Sequence, residues 1–139
     1  MEITNVSTIQ VDNDQNVLFT ETPVKGSSCI QHRDGSGVVT LRGITNQCRA
    51  RYRVEYSGNI AVPTGGTVGE ISLAIAIAGE PLASAAMRVT PAAVEEFFNV
   101  SSAVYVDVPK GCCANIAVVN TSGITISVAN SNLIVTREA

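Results

Sequence analysis

From Gly69 to Pro81 the chain reads G-E-I-S-L-A-I-A-I-A-G-E-P. On a strand, Ile71, Leu73, Ile75 and Ile77 fall on one face, and Ser72, Ala74, Ala76 and Ala78 on the other. A sheet face turned to water normally carries charged or hydroxyl groups. Here both faces avoid water, and one is flat and small. The pattern predicts a strand with a core on one side and a second copy of the same chain on the other.

The rest reads as strand and turn. The expected strands are Ile3–Val11, Asn16–Thr22, Cys29–Arg33, Val38–Arg42, Gln47–Tyr56, Glu70–Ala78, Ala85–Thr90, Phe97–Val108, Cys112–Val119, Ile124–Val128 and Asn132–Arg137. Gln47–Tyr56 alternates most cleanly. Cys48, Ala50, Tyr52, Val54 and Tyr56 interleave with Arg49, Arg51, Arg53 and Glu55, as in a half-buried strand with one wet face. Asp34-Gly35-Ser36-Gly37 is a hairpin signal, and Ser57-Gly58-Asn59 and Pro63-Thr64-Gly65-Gly66 read as turns. Thr90 as N-cap with Pro91 at the first position predicts one helical turn over Thr90–Glu96. Short strands punctuated by Gly, Pro and Asn indicate an all-β sandwich or barrel.

Composition sharpens this picture. The 139 residues suit one domain, and 45% are hydrophobic, mainly Val, Ile and Ala, of which the β-branched ones favour strands; aromatics are only 4% and Trp is absent. Charged residues reach only 15%, against about 25% in ordinary soluble domains, so part of the surface is expected to be hidden in an oligomer. A net charge of −3 supplies no basic field, so nucleic acid is an unexpected partner. No apolar run approaches the roughly 20 residues that span a bilayer, and Met1-Glu2-Ile3-Thr4 opens no secretory signal. The expected route is synthesis in the cytoplasm, reaching any surface by assembly or lysis.

The order of segments from Gln47 onward resembles the tumour-necrosis-factor-like jelly roll, in its bacterial and phage structural branch. The resemblance rests on Arg51-Tyr52-Arg53-Val54, Pro63-Thr64-Gly65-Gly66, Ile71-Ser72-Leu73-Ala74-Ile75 and Gly79-Glu80-Pro81-Leu82. It continues through Val106-Asp107-Val108-Pro109-Lys110-Gly111, Val118-Val119-Asn120-Thr121-Ser122 and Leu133-Ile134-Val135-Thr136-Arg137. It covers about residues 38–139 and is a pattern of strands and turns. It implies two antiparallel sheets and a homotrimer around a threefold axis. The branch includes heads of spore-surface collagen-like glycoproteins and structural proteins of phages; the lack of a Gly-X-Y stalk favours a virion or particle component.

The division expected is an extended N-terminal segment over 1–35, serving as a docking arm, and a jelly-roll domain over 36–139. Ala74, Ala76 and Ala78 would let a neighbouring sheet approach closely, and Phe97, Phe98 and Tyr105 are the large groups suited to anchor a trimer interface. The plainer reading puts these aromatics in the subunit's own core and is preferred, because buried aromatics usually serve their own fold. Arg49, Arg51 and Arg53 offer a face to an acidic partner such as a capsid surface; the preferred alternative is an ordinary charged solvent face.

Catalytic and metal chemistry find little support. His32 is the single histidine, no G-x-S-x-G elbow is present, and Glu95-Glu96 diverge in direction, as on a solvated turn. Cys112 and Cys113 are adjacent and point to opposite faces of a strand, a poor start for a zinc site. Cys29, Cys48, Cys112 and Cys113 are read as buried free thiols, with a Cys29–Cys48 bridge left open. No cofactor is expected. The leading reading is a non-enzymatic, trimeric decoration or accessory protein of a phage or prophage virion. The alternative is a receptor- or glycan-binding head of a fibre or spore-surface protein.

Overall fold

The computed structural model describes residues 1–139. Eleven strands and no α-helix make two antiparallel sheets. The strands are β1 (Glu2–Asn5), β2 (Ile9–Val11), β3 (Glu21–Val24), β4 (Ile30–His32), β5 (Val39–Arg42), β6 (Arg49–Ala61), β7 (Ile71–Ile77), β8 (Glu80–Val89), β9 (Phe98–Pro109), β10 (Cys113–Asn120) and β11 (Ile126–Arg137). The first sheet runs β3-β1-β11-β6-β9, with β2 also on β11; the second runs β4-β5-β10-β7-β8. The two sheets enclose one core.

That core follows the alternation of the strands. Ala50, Tyr52, Val54 and Tyr56 of β6 point inward and are buried, as are Ile71, Leu73 and Ile75 of β7. Burying such side chains stabilises by about 2 kcal/mol each. Asp34-Gly35-Ser36-Gly37 turns β4 into β5, with Gly35 in the left-handed region at φ 91°.

Several expectations are corrected. Residues 1–35 are not an arm beside a domain of 36–139. β1 lies between β3 and β11, Ile30 of β4 pairs with Leu41, and Ile3, Val17 and Phe19 have no solvent exposure. The first extended segment breaks after Asn5, whose side-chain oxygen accepts the Ser7 N–H at 3.2 Å. Such Asx geometry competes with strand pairing. Ser57-Gly58-Asn59 is not a turn but the continuation of β6. A Cβ at Gly58 would meet the Tyr56 hydroxyl, so this glycine makes room for a ring lying along the strand. The two last segments are one strand, β11, whose register shifts between Ala129 and Asn132 with Asn130 at φ 55°.

Thr90–Glu96 forms no helical turn. Glu95 sits at φ 59°, outside helical geometry. Its N–H donates to Val62 O at 2.7 Å, and its carboxylate accepts both the Thr64 N–H at 2.9 Å and the Thr64 hydroxyl at 3.0 Å. The residue is a clasp on the 63–66 turn and not a free solvated acid.

Gly43, in the β5–β6 connection, fixes the end of the sandwich. Its N–H donates to Cys112 O at 2.8 Å and its carbonyl accepts the Gly111 N–H at 3.0 Å. A Cβ there would overlap the Pro109 carbonyl oxygen, a backbone atom that cannot rotate away. Gly43→Ala is therefore expected to cost about 2 kcal/mol, read as a lower urea midpoint with an unchanged slope. An unshifted midpoint would show that the two connections move apart freely.

Candidate functional site

The outer face of the first sheet gathers Arg49, Arg51, Arg53 and Tyr105. Register builds it row by row. Val24, Glu2, Ile134, Glu55 and Ala103 lie across five strands. The next row holds Thr4, Asn132, Ser57 and Ser101, and on the other side come Thr136, Arg53 and Tyr105. Arg51 then faces Asp107, and Arg49 faces Pro109. Tyr105 is 63% exposed, Val24 55% and Ile134 37%, so the face is apolar between its charges.

The charges are paired within the face. Arg51 donates to Asp107 through Nε at 2.8 Å and through its terminal nitrogen at 3.1 Å, a bidentate fork. Arg49 Nε lies 3.3 Å from the same carboxylate, and Arg53 lies 2.7 Å from Glu55. The hydrogen bond from Arg51 holds the Asp107 carboxyl below its usual range, and the same bond raises the Arg51 guanidinium. Arg51 also stands 5.9 Å from the Tyr105 ring centre. Asn132 donates to Glu2 at 2.7 Å. Arg49 and Arg51 thus share Asp107, and Arg53 pairs with Glu55, so each of the three arginines has a carboxylate beside it.

The expected interface residues do not form one surface. Ala74 and Ala76 lie on the second sheet, 2% and 1% exposed in a single subunit. Val119 and Ala86 flank Ala74; Ala117 and Pro81 flank Ala76. These neighbours crowd the two alanines, so little of either side chain's own surface meets water. Ala78 sits in the β7–β8 turn at φ 53°, its N–H donating to Asn115 O at 2.8 Å. Phe97 and Phe98 are 39% and 37% exposed, so neither is a core aromatic; nor is Tyr105. Phe98 pairs with Ile60 at the far end of β9, about 23 Å from Tyr105 at 3.3 Å per residue. The buried aromatics are Phe19, Tyr52 and Tyr56.

His32 is not a solvent-facing turn residue. Its side chain is fully buried against Phe19, with Nε2 2.9 Å from Ser36 O. Nδ1 has no hydrogen-bond partner, the nearest carboxylate being Asp34 at 3.9 Å. No serine or cysteine side chain reaches the ring. All four cysteines are free thiols, but only Cys29 is buried; Cys48, Cys112 and Cys113 are exposed at the end of the sandwich. Cys29 Sγ accepts from Arg137 at 3.2 Å. No three His, Cys, Asp or Glu side chains gather as a metal ion would require.

No protein-family model matches the chain, and no curated protein matches it. Solved structures do. The chain is similar to Eiger TNF from S. frugiperda, with a TM-score of 0.70 and 16% identity, over 99% of this chain and 90% of that one. It is also similar to the globular domain of zebrafish complement 1qA protein, with a TM-score of 0.59 and 14% identity, over 96% and 93%. The fold is a jelly roll of the tumour-necrosis-factor type. At these identities the likeness is one of fold alone. It extends over almost the whole chain, residues 1–35 included, where the sequence resemblance begins only near residue 38.

Proposed function

We propose that this chain is a non-enzymatic structural protein that self-assembles as a homotrimer through the outer face of its first sheet, on the surface of a phage or prophage particle. The observation that carries the reading is the face itself. Tyr105, Ile134 and Val24 stay exposed there, while Arg49 and Arg51 pair with Asp107 and Arg53 with Glu55 on the same face. Around a threefold axis, residues near the axis meet their own copies, so unpaired like charges there would repel. Pairing each arginine within the face limits this, and pairs formed beforehand lower the penalty of burying charge. Tyr and Arg are also the side chains that most often dominate interface energies. The threefold order and the particle come from the resemblance in strand and turn order, and the low charge content supports assembly.

The test is light-scattering chromatography of the full chain and of Tyr105→Glu, with circular dichroism to check folding. A trimeric wild type and a folded monomeric variant are expected. A monomeric wild type at high concentration would remove the assembly reading. Immunogold labelling of phage particles from the source strain tests the rest: unlabelled particles would remove the virion role and leave the trimer standing.

A further inference from the structure

The largest cleft in the molecule, about 580 Å³, lies where the chain crosses between the sheets after β2. Gln10, Asp12, Gln15, Asn16, Leu18 and Thr20 line it, and none of them belongs to the assembly face. The backbone of residues 14–17 is hydrogen-bonded along one side to β10. Asp14 donates to Asn120 O at 2.9 Å, Asn120 donates to Gln15 O at 3.0 Å, and Val17 donates to Val118 O at 2.8 Å. Thr20 donates to Thr4 O at 3.0 Å, and Asp14 is held at φ 64°. Two further lining groups are engaged: Asn5 donates to Leu18 O at 3.0 Å, and Asp12 Oδ1 accepts the Thr125 hydroxyl at 2.9 Å. The side chains of Gln10, Gln15, Asn16 and Thr20 have no such partners within the chain and stand on a fixed main chain.

We infer that this cleft is a binding site for a neutral saccharide. Each free amide presents a donor and an acceptor together, the combination that a sugar hydroxyl also presents. The second oxygen of Asp12 adds an acceptor. Leu18, 47% exposed, gives an aliphatic surface for the C–H side of a sugar ring. Strand addition on the β10 side is closed, because the main-chain groups there are taken. No lysine or arginine lines the cleft, and Asp12 repels anions, so phosphates and acidic sugars are disfavoured. Without an aromatic platform, the affinity expected is on the order of a millimolar Kd.

The experiment is an amide-resonance titration of the intact protein with maltotriose, cellotriose, mannotriose and chitotriose, with trigalacturonate as the charged control. At least one neutral probe is expected to shift resonances between residues 9 and 20. The exposed pair Gln10→Ala and Gln15→Ala, combined, should weaken that binding by about tenfold or more. Three results would overturn the inference: no shift with any neutral probe, shifts unchanged in the double variant, or tighter binding of trigalacturonate. The site needs no trimer, so the Tyr105→Glu variant is expected to bind equally, and loss of the assembly reading would leave this one intact.

Discussion

Deleting residues 1–20 is expected to unfold the protein. The segment supplies Ile3, Val17 and Phe19, each with no solvent exposure, and Val11 with 3%. At about 2 kcal/mol for each buried side chain, their loss removes about 8 kcal/mol, comparable with the roughly 5–15 kcal/mol that holds a domain folded. The backbone loss adds to this. β1 pairs residue for residue with β11 from Glu2–Ile134 to Asn5–Ser131, and its removal leaves β3 with no neighbour in the sheet. The truncated chain should show no cooperative urea transition and should bind a hydrophobic dye. A truncated chain with a cooperative transition and the wild-type near-ultraviolet spectrum would restore the docking-arm reading.

The sequence misled at this end for a physical reason. β1 to β4 are three or four residues long, too short for alternation to show against chance. Their hydrophobic positions, 3, 11, 17 and 19, are too widely scattered to form a run of alternation, because the chain turns at Asn5 and then crosses between sheets. The partner that makes β1 a strand lies about 130 residues away, beyond the reach of any local pattern. Where strands are long the alternation was legible: the arginine face and aromatic core of β6, and the inward Ile71, Leu73 and Ile75 of β7, are placed as the spacing predicts.

The assembly face was half legible. Arg49, Arg51 and Arg53 stood out by their spacing, and Tyr105 by its size. Their relation to Asp107 did not, since it depends on the register of β6 against β9 across 56 residues. The signal that could have found it was the outward set of β9: Ser101, Ala103, Tyr105 and Asp107 alternate with Val100, Ser102, Val104, Val106 and Val108. The alanines of β7 show the converse limit. Spacing gives the face on which a side chain falls, but not what covers it. Gly58 shows a third: the same residue marks a turn or a close approach, and only the Tyr56 ring tells which.

That ring carries the second large effect. Tyr56 is buried, and its hydroxyl shares a 3.0 Å hydrogen bond with Ser131. Burial pushes its pKa from 10.0 up to about 12, the Ser131 bond opposing. Below pH 10 the phenol is neutral in both folded and unfolded chains, so it adds no pH dependence. Between pH 10 and about 12 the unfolded chain loses the proton and the folded chain keeps it, so stability falls as pH rises. The loss is about 1.4 kcal/mol per pH unit, about 2.7 kcal/mol over the window. Tyr52, raised by burial as well, acts in the same direction. Tyr56→Phe separates this effect from other alkaline titrations. At pH 7 the variant should be about 1 kcal/mol less stable, having left Ser131 without its partner. At pH 12 the order should invert, because phenylalanine has no proton to lose. Urea unfolding of both proteins at pH 7 and near pH 12 measures it. A wild type that keeps its advantage at the higher pH would mean that Tyr56 ionises in the folded protein, and that water reaches a ring the sandwich is built to seal.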